Sequence, residues 1–278
     1  MILIADSGST KTDWCLAKEG KAVKNIVTQG INPYHQDKET IGRIVTDELI
    51  TALGDDVPDR IVFYGSGCRE EKVGMMTELL GKAFAKAVDI EVNGDLLGAA
   101  RGLLGVEEGV ACILGTGSNS CLYDGKGIVE NISPLGYILG DEGSGAVLGK
   151  MFLNEVIKNK SLAEVKNDFF KTFGMTEGDI VERVYRQPQA NRFLASLAPF
   201  VAKYLDRKEV REVVADNFSQ FFRKNVNRYG RRDLPVGFVG SIAWHFRSVL
   251  EESAEEEGLR LGRVEKSPME GLLRYHFR

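Results

Sequence analysis

Cysteine is scarce and never occurs in a CxxC pair: the 278 residues hold four, Cys15, Cys68, Cys112 and Cys121. Cys15, Cys112 and Cys121 lie within or beside apolar runs, where a free thiol behaves as a small hydrophobe. That pattern argues against a zinc site or a disulfide framework and favours a reducing, cytoplasmic setting. The three histidines, His35, His245 and His276, have no ligand-like spacing. No apolar run approaches the roughly 18–20 residues of a membrane span. The first residues go straight into a strand-like run, without the basic region, long apolar core and cleavage site of a signal peptide. Positive charge is not in excess either: 36 Lys and Arg stand against 40 Asp and Glu, a net charge of −4. The chain therefore lacks the electrostatic footprint of a nucleic-acid or anionic-membrane binder. What remains is ordinary for a soluble globular protein, 43% hydrophobic and 27% charged, long enough for two modest domains or one large one.

What the chain does have is one short unit written twice. Residues 2–26 read ILIADSGSTKTDWCLAKEGKAVKNI and residues 111–132 read ACILGTGSNSCLYDGKGIVENI. Each is an apolar run, a turn of Gly, Ser and Thr, a second apolar run, a Gly-Lys turn and a third run ending in Asn-Ile. The pattern predicts strand, glycine turn, strand, hairpin turn, strand. Glycine with small hydroxyl residues at such a turn leaves backbone N–H groups open to a phosphate oxygen, so two copies suggest two phosphate loops.

Beyond the first copy, Asp37–Leu53 has helical spacing, with Asp37 as N-cap and Gly54 as stop. A strand over Arg60–Tyr64 leads into Gly65-Ser66-Gly67. A helix through about Ala87, a short strand Val88–Val92 and a helix from Asn93-Gly94-Asp95 to Leu104 follow. Strand–helix alternation after a three-strand meander predicts a mixed sheet with helices on it. The second copy is followed by a long, mostly helical region, roughly Ser144–Tyr229, then a strand Val236–Val239 ending in Gly240-Ser241. A helix to about Glu255, a strand near Leu259–Val264 and a final helix after Ser267-Pro268 complete the chain. The expected division is 1–106 with a returning helix 267–278, and 107–266 with the helical insertion; Gly105–Gly109 is the hinge.

Within Asp6-Ser7-Gly8-Ser9-Thr10-Lys11-Thr12, an acid at the end of the first strand can hold Mg²⁺ through water while Thr10, Lys11 and backbone amides meet phosphate oxygens. A strand-end aspartate capping its own turn is the alternative. Asp95 can accept the proton of an attacking substrate hydroxyl or serve as a plain N-cap. Gly140-Asp141-Glu142-Gly143-Ser144-Gly145 can bind sugar hydroxyls or a magnesium water, or be no more than a charged helix start. Neither better-known nucleotide motif is present. Gly149-Lys150 has Ser144 and Met151 where a Walker A loop needs Gly and Ser/Thr, and Glu70 takes the third glycine position of a dinucleotide fingerprint starting at Gly65.

Together these runs resemble the actin / sugar kinase / Hsp70 ATPase superfamily. More narrowly they are similar to N-acetylglucosamine kinase and the BadF-BadG-BcrA-BcrD-type ATPases. Asp6–Thr12 resembles the first phosphate motif, Leu114–Asn119 the second, and Phe238-Val239-Gly240-Ser241 the adenosine motif. Gly30-Ile31-Asn32 looks like the kinase's sugar-binding loop. The resemblance implies two ribonuclease H-like α/β lobes with mixed sheets flanked by helices, and ATP-Mg in the cleft between lobes. It implies Asp95 as catalytic base and Asp6 at the magnesium. Nucleotide contacts would come from Asp6, Gly8, Ser9, Thr10, Lys11, Gly115, Thr116, Gly117, Gly240 and Ser241. Amino-sugar contacts would come from Asn32, Gly67, Thr116, Ser118, Asn119 and Asp141. A homodimer is left open. Two other functions compete: an ATPase activator of an electron-transfer partner, with an iron–sulfur cluster shared between subunits, and a non-catalytic nucleotide or sugar sensor.

Overall fold

The strand β1 (Ile2–Ser7) is apolar from Ile2 to Ala5 because both of its faces are covered. Leu3 and Ala5 point into one cluster with Ile41, Ile44, Val45, Met76 and Leu80, while Ile2 and Ile4 point into another with Tyr64 and Leu272. The computed structural model describes residues 1–8 and 10–278. The chain divides into two compact units. One comprises Met1–Glu108, Asp124–Ile128 and Ser267–Arg278; the other comprises Gly109–Tyr123 and Val129–Lys266.

In the first unit β1 pairs antiparallel with β2 (Lys11–Lys18), which pairs antiparallel with β3 (Lys21–Gln29). On its other side β1 runs parallel to β4 (Arg60–Gly65), and β4 parallel to β5 (Asp89–Gly94). The order is β3-β2-β1-β4-β5. Asp37 caps the following helix by accepting from the Thr40 amide at 2.8 Å, and Gly54 ends it with φ +65°. Inside this helix Ile44–Ile50 is wound as a π-helix, which the spacing alone did not signal. The helix before β5 spans Glu70–Ala83 and stops short of the expected Ala87. Phe84 leaves helical geometry to bury its ring in the core, and Ala87 then closes a turn on the Phe84 carbonyl. The helix Asp95–Leu104 and the C-terminal helix Met269–His276 pack against each other and cover the Ile2–Ile4 face of β1.

The second unit repeats the sheet: β6 (Glu108–Leu114), β7 (Ser118–Asp124), β8 (Ile128–Glu130), β9 (Val236–Val239) and β10 (Leu261–Glu265) lie in the order β10-β9-β6-β7-β8. β6 and β9 are parallel, as are β9 and β10. Here the insertion between the third and fourth strands is a set of helices. Two of these, Gly145–Lys158 and Lys208–Lys224, put Leu148, Phe152, Phe218, Phe221 and Phe222 into one core with Val110, Cys112 and Phe238. The helix expected after Gly240 is two pieces, Ser241–His245 and Arg247–Glu256, separated where the buried Phe246 turns inward. Trp244 does not join that core; it is 42% exposed.

Close backbone contact holds the C-terminal helix on the Asp95 helix. A Cβ on Gly102 would stand 2.8 Å from Pro268, and one on Gly271 would overlap the Gly102 carbonyl. Backbone cannot yield as a flexible side chain does, so Gly271→Ala must push the two helices apart. The expected cost is about 1–3 kcal/mol, the usual range for forced overpacking. Urea unfolding of the variant beside the wild type checks it, and a Gly42→Ala control, in a helix and meeting nothing within 4 Å, should lie at or above wild type, since Ala is the better helix former.

Candidate functional site

In the first unit the glycine turn after β1 is tight: the Gly8 amide donates to the Lys11 carbonyl at 3.0 Å. Beneath it two buried hydroxyls pin a second loop. Ser7 Oγ and Thr12 Oγ1 are 2.6 Å apart, and Ser7 Oγ donates to the Ile31 carbonyl and accepts from the Ile31 amide. Ser7 and Thr12 are register partners in β1 and β2, so one hydroxyl pair fixes the Gly30-Ile31-Asn32 loop against the strand end. The same loop meets Gly65-Ser66-Gly67. A Cβ on Gly67 would overlap Asn32 Oδ1, and Gly67 has φ +75°, so only glycine fits there. Asn32 Oδ1 accepts from the Tyr34 amide, and the Asn32 amide donates to Gln36 Oε1 at 2.7 Å. Thr10 is exposed and its carbonyl accepts from the Gly30 amide. Lys11 is exposed and ion-paired with Asp13 at 2.7 Å. Ser9 lies outside the described residues.

Two acids stand at the ends of strands here. Asp6 sits near the end of β1. Burial, the charges of Asp95 and Asp13, and only partial relief from Lys11 push its carboxyl up to about 7. Asp95 is the first residue of its helix, and the N-cap position belongs to Gly94. Asp95 is thus not the capping residue of the simpler reading, although one of its oxygens accepts from the Leu96 amide at 2.9 Å. Burial raises its carboxyl as well, against hydrogen bonds from the Leu96 amide and the Ser66 hydroxyl. Each acid keeps part of its surface in solvent. Cys68 lies close by; burial and then the charge of Asp95 lift its thiol to about 12, which keeps it protonated.

In the second unit the equivalent turn is closed by the Gly115 amide donating to the Gly117 carbonyl at 3.0 Å. The first amides of the Gly145–Lys158 helix hold it from below: Gly145 donates to Gly115 O at 2.8 Å and Ala146 to Thr116 O at 3.1 Å. Ser144 caps that helix, accepting from Val147 at 3.1 Å. Asp141 adopts a left-handed φ of +52° and lies over Gly117, where a Cβ would be 3.1 Å from its Oδ2. Burial, and less so Glu142, raise the Asp141 carboxyl to about 6, although the Ser118 and Gly136 amides donate to it. Its loop is fixed by Asn217, fully buried, which accepts from the Gly143 amide and donates to the Ser144 carbonyl. Asn119 Oδ1 accepts from the Ser120 amide and from Asn131 Nδ2, both at 2.9 Å. Gly240, at φ +121°, passes so close to the Leu114 carbonyl that no side chain fits, and Ser241 beside it is exposed.

The structure therefore gathers Asp6, Gly8, Thr10, Lys11, Asn32, Gly67 and Asp95 in one unit. It gathers Gly115, Thr116, Gly117, Ser118, Asn119, Asp141, Gly240 and Ser241 in the other. Reading the sequence missed Ser7, Thr12, Ser66 and Asn217. A polar residue at an inward position of an otherwise apolar strand was the available signal for Ser7; Asn217, within an amphipathic helix, offered less.

The buried Asp6 carboxyl ties the stability of the fold to pH. The folded protein keeps a proton on Asp6 between the unfolded value of 3.8 and about 7, where the unfolded chain has lost it. Stability from this group therefore falls as pH rises through that window. Without nucleotide or metal, Asp6→Asn should melt above wild type at pH 8, and the gap should close near pH 4. Thermal melts across that range decide it; a gap independent of pH counts against the buried charge.

The family model of the BadF/BadG/BcrA/BcrD ATPase family matches residues 5–269. Among solved structures the chain is similar to the "Putative N-acetylglucosamine Kinase" of Porphyromonas gingivalis, with 51% identity over 100% of this chain and 99% of that one and a TM-score of 0.96. A protein of the same description from Chromobacterium violaceum gives 20% identity, coverage of 99% and 98%, and a TM-score of 0.74. The ethanolamine utilization protein EutJ of Carboxydothermus hydrogenoformans gives 14%, 98% and 89%, and 0.55. These last two share the fold. No curated protein matches the chain. From Ala5 to Met269, across both sheets and both glycine turns, this chain belongs to the BadF/BadG/BcrA/BcrD ATPase family.

Proposed function

We propose that the chain transfers the terminal phosphoryl group of ATP to a hydroxyl of an amino sugar, N-acetylglucosamine or a related hexosamine. The observation that carries this reading is the 51% identity, over the whole chain, to a structure described as a "Putative N-acetylglucosamine Kinase". Asp95 supplies the chemistry. A sugar hydroxyl is a very weak acid, so its proton must leave as the new P–O bond forms. A carboxylate raised by burial and held by the Leu96 amide and Ser66 is a stronger base than a free one and is already oriented. Backbone amides of the two glycine turns meet phosphate oxygens, while those of Gly8 and Gly115 close the turns on the Lys11 and Gly117 carbonyls. Gly240 and Ser241 serve the adenosine end. Asn32, Gly67, Thr116, Ser118, Asn119 and Asp141 are the sugar contacts, and the raised Asp141 carboxyl suits a ring hydroxyl.

Asp6 fits a magnesium ion that arrives with the nucleotide. Among the described residues no three His, Cys, Asp or Glu side chains converge as a ready-made cage. A small octahedral cation that keeps its waters, takes one carboxylate and completes its shell with phosphate oxygens asks for no more. Asp6 is an acid whose ionised form burial and Asp95 disfavour, so a cation beside it would remove that penalty. When bound, the ion neutralises phosphate charge. The four buried cysteines support a reducing, cytoplasmic setting for this work.

The test is ADP release across a panel of hexoses, N-acetylhexosamines and muropeptide sugars. Release that depends on an N-acetylhexosamine supports the reading, and release indifferent to every sugar removes it. Asp95→Asn should cut sugar-dependent turnover by about 10²–10⁴ with ATP binding intact. Turnover within a few-fold of wild type would reduce Asp95 to a helix-end residue.

A further inference from the structure

The Asp95 helix is held by a buried polar network that none of the roles above uses. Arg101, near its far end, is largely buried, with a side-chain exposure of 15%. Its guanidinium donates to Glu91 Oε1 at 2.7 Å and to the Tyr64 hydroxyl at 2.8 Å, and it lies over the Tyr275 ring at 5.0 Å. Tyr64 Oη is 2.9 Å from His276 Nε2. Glu91 also accepts from Asn93 Nδ2 at 2.8 Å. Four elements thus converge on one guanidinium: β4, β5, the Asp95 helix and the C-terminal helix.

Arginine only donates, so the Tyr64 oxygen accepts from Arg101, and the arrangement that also uses the Tyr64 proton sends it to His276 Nε2. That requires an unprotonated Nε2. Burial, and then the charge of Arg60, lower the His276 imidazole to about 4, so it is neutral and able to accept. Tyr64 itself is raised to about 12, chiefly by burial, and stays a hydroxyl.

Position gives the network its meaning. Tyr64 is the register partner of Asp6 on β1 and of Asn93 on β5. It therefore stands in one row across the sheet, between the strand that carries Asp6 and the Asn93-Gly94 turn that delivers Asp95. Gly98, one turn into the helix, rests directly on the Tyr64 ring; a Cβ there would be 2.8 Å from it. The ring sets the distance of the helix from the sheet, and the Arg101 bonds set its tilt. We propose that Arg101, Tyr64 and His276 are positioning residues that hold Asp95 in its reactive geometry through the helix, without touching substrate.

This inference rests on Asp95 being the base, and the experiment separates the two. Tyr64→Phe removes one oxygen, leaves the ring under Gly98 and should fold. It is expected to lower kcat about tenfold with N-acetylglucosamine and ATP, a modest displacement of a reacting group, while both KM values stay within twofold. His276→Gln keeps an acceptor and should restore most of kcat, whereas His276→Phe should behave like Tyr64→Phe. A purely structural role would move the melting temperature and leave the kcat of folded enzyme unchanged. In an Asp95→Asn background, measured at high enzyme concentration, Tyr64→Phe should cost nothing more. An unchanged kcat in Tyr64→Phe, or a full tenfold loss on top of Asp95→Asn, overturns the inference. An Asp95→Asn enzyme that keeps its turnover overturns the base assignment instead.

Discussion

Two carboxylates of like charge, Asp6 and Asp95, sit close enough that one raises the other, in surroundings that already disfavour their ionised forms. Such a pair is unfavourable in an empty protein, and much of the first unit works against its relaxing apart. β1 is apolar on both faces and cannot slide without exposing Ile2–Ala5. Ser7 and Thr12 lock the neighbouring loop to its end. Gly98 and Gly102 let the Asp95 helix lie on the Tyr64 ring and the C-terminal helix without side chains between them. Stability given up at a site in this way is a common cost of function. Under the proposed function the chemistry lies at these strand ends, and the four cysteines are free and buried.

The second unit solves a different problem with the same sheet order. Its turns carry little charge, and the recurring device is the absence of a side chain. Gly117 lets Asp141 lie over the loop, Gly145 sits 3.3 Å under the Gly115 carbonyl for any added Cβ, and Gly240 crosses the Leu114 carbonyl. A Cβ at Gly240 would overlap backbone outright, whereas at Gly117 and Gly145 the neighbours would have to give by a few tenths of an ångström. The helix amides of Gly145 and Ala146 hold the Gly115 and Thr116 carbonyls, and the Gly115 amide closes the turn on the Gly117 carbonyl, so the turn is fixed from both sides. Under the proposed function this fixed turn is what meets a ligand rich in acceptor oxygens.

Much of this was legible in the chain because local chemistry and tertiary fold agree. The doubled unit became β1–β3 and β6–β8, and Asp37, Gly54, Gly94 and Ser144 mark helix ends as their chemistry dictates. What failed to show depended on partners far away in sequence. Phe84 and Phe246 break helices because a core claims their rings, and no periodicity records that. The Tyr64–His276 bond joins residues 212 apart, and Arg101 reads as an ordinary cation at a helix end until Glu91, Tyr64 and Tyr275 surround it. Gly67 was expected as a sugar contact; the fold adds a backbone reason for the glycine, a φ of +75° with Asn32 against it.

The two copies of the repeat differ at one place that matters chemically. Aligned on their glycine turns, Asp6-Ser7-Gly8 faces Gly115-Thr116-Gly117, so the acid of the first copy is a glycine in the second. A triphosphate is strongly anionic, and loops that hold it by backbone amides gain nothing from carboxylates pointing at it. Under the proposed function one acid serves to hold a cation; a second at the equivalent turn would add repulsion without a partner. The second unit instead keeps its raised acid at Asp141, beyond the turn and anchored by the Ser118 and Gly136 amides. That separation suits hydroxyl recognition. It is also why a duplicated frame yields unequal halves: the backbone chemistry of the turn can be shared, but the charge can be placed only once.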